Sequence, residues 1–161
     1  MTIVFRFAIA VVLVAAGTVF CAAQKSEIAS APQFDAELAK KLGADEYGMK
    51  NYVLVILKTG PNDAAITGKE RDDTFKGHMA NIGRLADAGK LAIAGPFGKN
   101  DKNFRGLYIF NVATIEEAKA LVETDPAVKA GILTADMMPW YGSASLMATL
   151  ELHKRIAKSH F

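Results

Sequence analysis

From Tyr52 to Leu57 the chain is continuously apolar and largely β-branched, the pattern of a strand buried on both faces. The cluster Lys58-Thr59-Gly60-Pro61-Asn62-Asp63 closes it as a turn. The period then changes. Lys69 to Ala88 reads as a long helix, with Glu70, Asp72 and Asp73 near its start and Gly89 at its end. Within it Phe75, His78, Ile82 and Leu85 follow at steps of three or four, so His78 lies inside the apolar stripe.

The same two periods alternate onward. Leu91 to Ala94 predicts a short second strand, closed by Gly95-Pro96-Phe97-Gly98, and Lys99 to Asn103 a hairpin loop. Arg105 to Val112 predicts strand three, with Leu107 and Ile109 alternating against Tyr108, Phe110 and Val112. Thr114 and Glu117 have the spacing of a capping box and open a helix through Ala118, Leu121 and Val122. Asp125-Pro126 interrupts that helix, because proline disfavours the α conformation at the residue before it. A further turn, Ala127 to Ala130, ends at Gly131. Ile132 to Trp140 predicts strand four, edge-like or terminated at Pro139.

Two amphipathic segments flank this core. Phe34, Leu38 and Leu42 predict a short helix that starts at Asp35 and Glu37 and stops at Gly43. Leu146, Met147, Leu150 and Ile156 predict a C-terminal helix over Ala144 to Ser159, whose Lys154, Arg155 and Lys158 read as a solvated face. The core order, strand-helix-strand-strand-helix-strand, is that of an α+β ferredoxin-like βαββαβ sandwich with both helices on one side of an antiparallel sheet. The other sheet face needs a cover. The C-terminal helix supplies part of it, and a second subunit packed sheet against sheet would supply it more completely, so a homodimer is expected.

The first residues belong to a different regime. Arg6 gives a short positive region, Phe7 to Phe20 is almost wholly apolar, and Cys21-Ala22-Ala23 offers small residues for cleavage before Gln24. Residues 1–23 therefore read as a signal peptide, residues 24–33 as a flexible tether, and 34–161 as one α+β domain with its core at about 50–141. An uncleaved anchor competes with this reading, but the apolar run is just short of the ~18 residues of a spanning helix. Lipidation at Cys21 is disfavoured by Phe20 before it. The expected location is periplasmic or secreted, with no stable membrane association after cleavage.

Composition narrows the chemistry. The 161 residues carry a formal charge of +2, and removal of residues 1–23 leaves 18 basic and 17 acidic residues, so nucleic acid is not an expected partner. Cleavage also removes Cys21, the only cysteine, and with it any disulfide or thiolate nucleophile. There is no glycine-rich phosphate loop, no His-Glu-x-x-His and no Gly-x-Ser-x-Gly. His153 and His160 lack an acidic cluster, so neither a metal nor a cofactor is expected.

What remains is His78. Imidazole exchanges protons near neutral pH, and a nearby carboxylate would hold its tautomer, with Asp125 at the helix break as the candidate. Two readings stay open for each residue. His78 is either a general acid/base or a histidine that specifies helix packing, and Asp125 is either its partner or a helix-capping residue before proline. Arg84 and Lys58 are candidates for an anionic substrate group or solvated cations. The Gly95-Pro96 turn offers close backbone approach to a ligand. Trp140, Tyr141, Met137 and Met138 line either a pocket or a packing surface.

Taken together, these residues resemble the YciI-like (YCII-related) family of small dimeric α+β-barrel proteins. The resemblance runs over about residues 50–141: Tyr52 to Leu57, His78 with Arg84-Leu85 and Gly89, Gly95-Pro96, Gly106, Glu117-Ala118, Asp125-Pro126 with Ala130-Gly131, and Pro139-Trp140. It implies a catalytic pair at His78 and Asp125 and a cofactor-independent, lyase/dehydrohalogenase-like or isomerase-like activity on a small aromatic or quinone-like molecule. Arg84, Gly95, Pro96 and Trp140 would then contact that molecule. The alternative is a non-catalytic dimeric module of the same fold that binds a small ligand or is purely structural. The chain departs from the family in Ala127, where an aromatic commonly follows Asp-Pro, and in its export signal and flanking helices.

Overall fold

A computed structural model of the chain describes residues 33–158. The expected signal peptide and all but the last residue of the expected tether lie outside that range. A first short helix, α1 (Ala36–Leu42), is capped by Asp35, whose side chain accepts from the Leu38 N–H, and it stops at Gly43. It buries none of its residues.

Four strands form one antiparallel sheet: β1 (Met49–Thr59), β2 (Leu91–Pro96), β3 (Phe104–Phe110) and β4 (Leu133–Ser143), in the order β2-β3-β1-β4. β1 is central, pairing Val55 with Tyr108 on one side and with Met137 on the other. This position explains its continuous apolar run. Val53, Val55 and Leu57 are buried on the face covered by helices, while Tyr52 is buried and Leu54 and Ile56 half-buried on the other. Each fully buried aliphatic side chain contributes roughly 1.5–3 kcal/mol relative to exposure.

The helical layer holds α2 (Gly68–Asp87), α3 (Ile115–Val122) and α4 (Pro126–Lys129). The expected capping box is present: Thr114 Oγ1 accepts from the Glu117 N–H, and Glu117 accepts from the Thr114 N–H. α4 begins where the Asp-Pro step breaks α3, and it ends before Gly131 at φ +73°, a left-handed conformation suited to glycine. The Asn62 N–H donates to the Gly131 carbonyl and Asn62 Nδ2 to that of Ala130, so the end of α4 is tied to the loop after β1.

The opposite sheet face is covered in part by the C-terminal segment. Leu146 and Met147 pack against Tyr52, Ala92 and Ile109, and Thr149 Oγ1 donates to the Ala92 carbonyl at 2.9 Å. That segment is not one helix as expected. It starts as a 3-10 stretch, Ala144–Ala148, followed by α5 (Thr149–Ile156), which buries none of its residues. β4 likewise runs past Pro139, because as an edge strand it tolerates a missing N–H. Gly95 and Pro96 belong to β2, paired with Leu107 and Gly106, rather than to the turn after it.

Candidate functional site

The apolar stripe of α2 turns His78, Asn81 and Leu85 into the protein, with Phe75 and Ile82 packed against the core. His78 faces the start of α4. Its Nδ1 lies 2.7 Å from Asp125 Oδ2, across 47 residues of sequence. Asp125 is fully buried, yet each of its oxygens is engaged. Oδ1 accepts from the Ala127 N–H at 2.9 Å, the N-cap bond that the residue before Pro126 is placed to make. Oδ2 accepts from Nδ1 and, at 3.0 Å, from the hydroxyl of Tyr108.

Burial opposes a charge on Asp125, but the His78 hydrogen bond and charge, the Ala127 N–H and the Tyr108 hydroxyl outweigh it. They hold the carboxyl below its ordinary value. Tyr108 moves the other way. Burial first, then the charge of Asp125 and the bond to it, push the phenol up, so it stays protonated and donates. An ionised Asp125 is an acceptor only, and it selects the tautomer of His78 with the proton on Nδ1. The lone pair is then on Nε2.

Nε2 is the open atom of the ring. His78 is 8% exposed, and among the described residues nothing hydrogen-bonds Nε2. That leaves Nε2 as the ring atom available to a small molecule. Phe75 stands edge-on to the ring at 5.6 Å between centroids and Tyr108 is inclined by 30° at 6.3 Å, so the imidazole is packed between two aromatic rings. Such a group can take a proton from a small molecule at the surface and return it.

The other candidate residues are not gathered there. Arg84 is exposed, and its Nη2 bonds Asn81 Oδ1 at 2.7 Å and Thr124 Oγ1 at 3.0 Å, beside the pair rather than on it. Trp140 pairs in register with Tyr52, its ring 5.8 Å from the tyrosine's, on the sheet face away from the helices. Lys58 is on that face too, in an ion pair with Asp136 at 2.7 Å. Gly95 and Pro96 are exposed at the end of β2, with no hydrogen bond to His78 or Asp125. Two surface cavities, of about 550 Å³ beside Lys50, Lys90 and Asn111 and about 410 Å³ beside Phe97 and Arg105, touch neither member of the pair. Among the described residues no group of three or more His, Cys, Asp or Glu side chains could hold a metal.

Two polar residues of the site escaped the sequence reading. Tyr108 counted only as one side of an alternation, although a tyrosine on a buried face needs a partner for its hydroxyl. Asn81 is one turn beyond His78 but off the Phe75–Leu85 stripe, and it meets Thr124, in the link between α3 and α4.

Residues 52–140 match the profile of the YCII-related domain. Among solved structures, a 5-chloro-2-hydroxyhydroquinone dehydrochlorinase from Burkholderia phenoliruptrix AC1100, in complex with 2,5-dihydroxybenzoquinone, is 26% identical. The similarity covers 55% of this chain and 92% of that one, with a TM-score of 0.41. No curated protein sequence matches the chain.

Proposed function

The chain belongs to the YCII-related domain family, and on that premise we propose that it is a small, cofactor-independent enzyme in which His78 is the general acid/base and Asp125 its orienting carboxylate. One observation carries this reading: Nδ1 is held at 2.7 Å by a fully buried carboxylate while Nε2 has no hydrogen-bond partner among the described residues. Asp125 sets the tautomer, stabilises the imidazolium that forms on proton uptake, and is kept ionised by the Tyr108 and Ala127 donors. The substrate class is a small molecule with an acidic C–H or O–H, aromatic or quinone-like, in a lyase-, dehydrohalogenase- or isomerase-type reaction.

Proton exchange into deuterium oxide tests this without knowledge of the full reaction. The purified protein, incubated with a panel of small ketones, quinols and halogenated phenols, accelerates exchange of at least one carbon-bound hydrogen. His78→Gln abolishes the acceleration and stays folded. Exchange that survives in His78→Gln would sink the proposal.

A second reading has its own support. The Asp125 cap on Ala127 and the bonds to His78 and Tyr108 also fasten α4 to α2 and β3, as a non-catalytic ligand-binding or structural module would require. Under that reading His78→Gln alters stability and there is no exchange to lose.

Two further features belong to the proposal. The sheet face away from His78, with Met138 and Trp140 exposed and Leu54 and Ile56 half-buried, is the surface over which two copies would pair. The amino-terminal segment directs export to the periplasm or medium, so the mature protein begins near Gln24. Mass spectrometry of the exported protein measures this, and an intact Met1 would reject it.

A further inference from the structure

Asn81 follows His78 by one helical turn on the inward face of α2 and is only 7% exposed. Its orientation is determined by chemistry. A guanidinium only donates, so the Asn81 atom 2.7 Å from Arg84 Nη2 is the carbonyl oxygen Oδ1. The Thr124 hydroxyl lies 3.0 Å from the same oxygen, and Arg84 donates to that hydroxyl as well. The single Thr124 proton has its shorter bond to the Leu121 carbonyl, at 2.7 Å, so Arg84 is the donor that fixes this end of the amide. The other end, Nδ2, with two N–H groups, has no hydrogen bond among the described residues, and no buried side-chain polar atom there lacks a partner. Like Nε2 of His78, it has no hydrogen-bond partner among the described residues.

Side chains three apart on a helix are neighbours, with β-carbons about 5–6 Å apart. A proton acceptor and a neutral, oriented donor thus stand side by side at the surface of α2. We propose that Asn81 is the oxyanion-binding residue of this site, donating Nδ2–H to the oxygen of an enolisable carbonyl compound while His78 Nε2 removes the adjacent C–H proton. The inference rests on the reading of His78 as base. In the step the C–H bond breaks and its proton goes to Nε2. The bond's electron pair forms the carbon–carbon double bond, and the carbonyl π pair moves to oxygen as the enolate that Nδ2–H binds. Return of the proton to carbon closes the cycle with no oxidant or reductant.

The donor suits that oxygen because its charge grows in the transition state. Hydrogen bonds to a developing oxyanion strengthen as the charge develops, and loss of one typically costs about a hundredfold or more in rate. Arg84 acts through Asn81 as a positioning residue, since it holds Oδ1 and so aims Nδ2, while Thr124, tied to the Leu121 carbonyl, accepts from Arg84 and holds the guanidinium in place. The competing role for Asn81, a tie between α2 and the end of α3, uses Oδ1 alone. An aspartate would fill that role equally well.

The test uses para-nitrophenolate, whose charged oxygen stands in for that of an enolate, titrated into the purified protein and followed by NMR of the Asn81 amide protons and the His78 ring nitrogens. In the wild type both groups shift along one saturating curve. Asn81→Asp, which keeps the tie to Arg84, and Asn81→Leu, which adds no charge, each bind at least tenfold more weakly. If His78 responds and the Asn81 amide does not, or if both variants bind within twofold of wild type, the inference is overturned and the reading of His78 as base is untouched. If neither group responds at any concentration, both are overturned. Should the variants fail to fold, the wild-type amide shift alone decides.

Discussion

Gly77 lies against Pro126 so closely that a β-carbon added at position 77 would sit 3.0 Å from the proline Cγ. These two residues directly adjoin His78 and Asp125 in the chain. The missing side chain on α2 therefore lets α4 approach to the distance at which Nδ1 meets Oδ2. Gly77→Ala sets two effects against each other: about 1 kcal/mol of helix propensity gained, and a contact that forces the proline ring away by a few tenths of an ångström. We predict little change in melting temperature but about a tenfold fall in any proton-exchange rate, since small displacements of catalytic groups are costly. Parallel loss of stability and rate would instead place the contact in general packing.

Tyr108→Phe removes one donor to Asp125 and leaves the ring. A hydrogen bond to a charged group is worth roughly 1.5–3 kcal/mol, and the variant should lose about that much in chemical denaturation. The Asp125 carboxyl should then titrate closer to its ordinary value. An unchanged stability would mean that water replaces the hydroxyl.

Acid should uncouple the pair. The His78 hydrogen bond and the Ala127 and Tyr108 donors hold the folded-state carboxyl of Asp125 below its ordinary value, whereas an unfolded aspartate titrates near ~3.9. The unfolded state therefore binds the proton first as pH falls, and the contribution of the ionised carboxylate, complete at neutral pH, is lost below about pH 4. Denaturation of wild type and Asp125→Asn at a series of pH values checks this. The stability gap should be widest near neutrality and should narrow below about pH 4; a gap independent of pH would contradict the ionised, hydrogen-bonded carboxylate.

The exposed face predicts assembly. Sedimentation of the mature protein at micromolar concentration should give a dimer, and Met138→Lys together with Trp140→Lys should give a folded monomer. A monomeric wild type would leave that face to some other cover.

Much of this was legible in the residues because local rules and tertiary structure agree. Burial on both sides at β1, the box at Thr114 and Glu117, the stop at Gly43 and the break at Asp125-Pro126 each follow from sterics or a local hydrogen bond. His78 stood out because an imidazole on an apolar stripe needs a partner. What was not legible depends on register and on contacts between distant elements. Alternation puts Tyr108 on the helical side of β3 but says nothing of a carboxylate 17 residues on. Trp140 reads equally as pocket lining or as a packing surface, and only its pairing with Tyr52 assigns the indole to the far face. Asn81 is polar and off the stripe, so its burial beside Thr124 depends on how the link between α3 and α4 meets α2.

The central claim is that Asp125 holds His78 with Nε2 as the proton acceptor, and NMR of the His78 ring nitrogens in the free protein measures it directly. Wild type should show the neutral ring protonated at Nδ1, with that proton strongly deshielded by the carboxylate, and Asp125→Asn should lose both features. A neutral ring protonated at Nε2, or a spectrum indifferent to Asp125→Asn, would contradict the account.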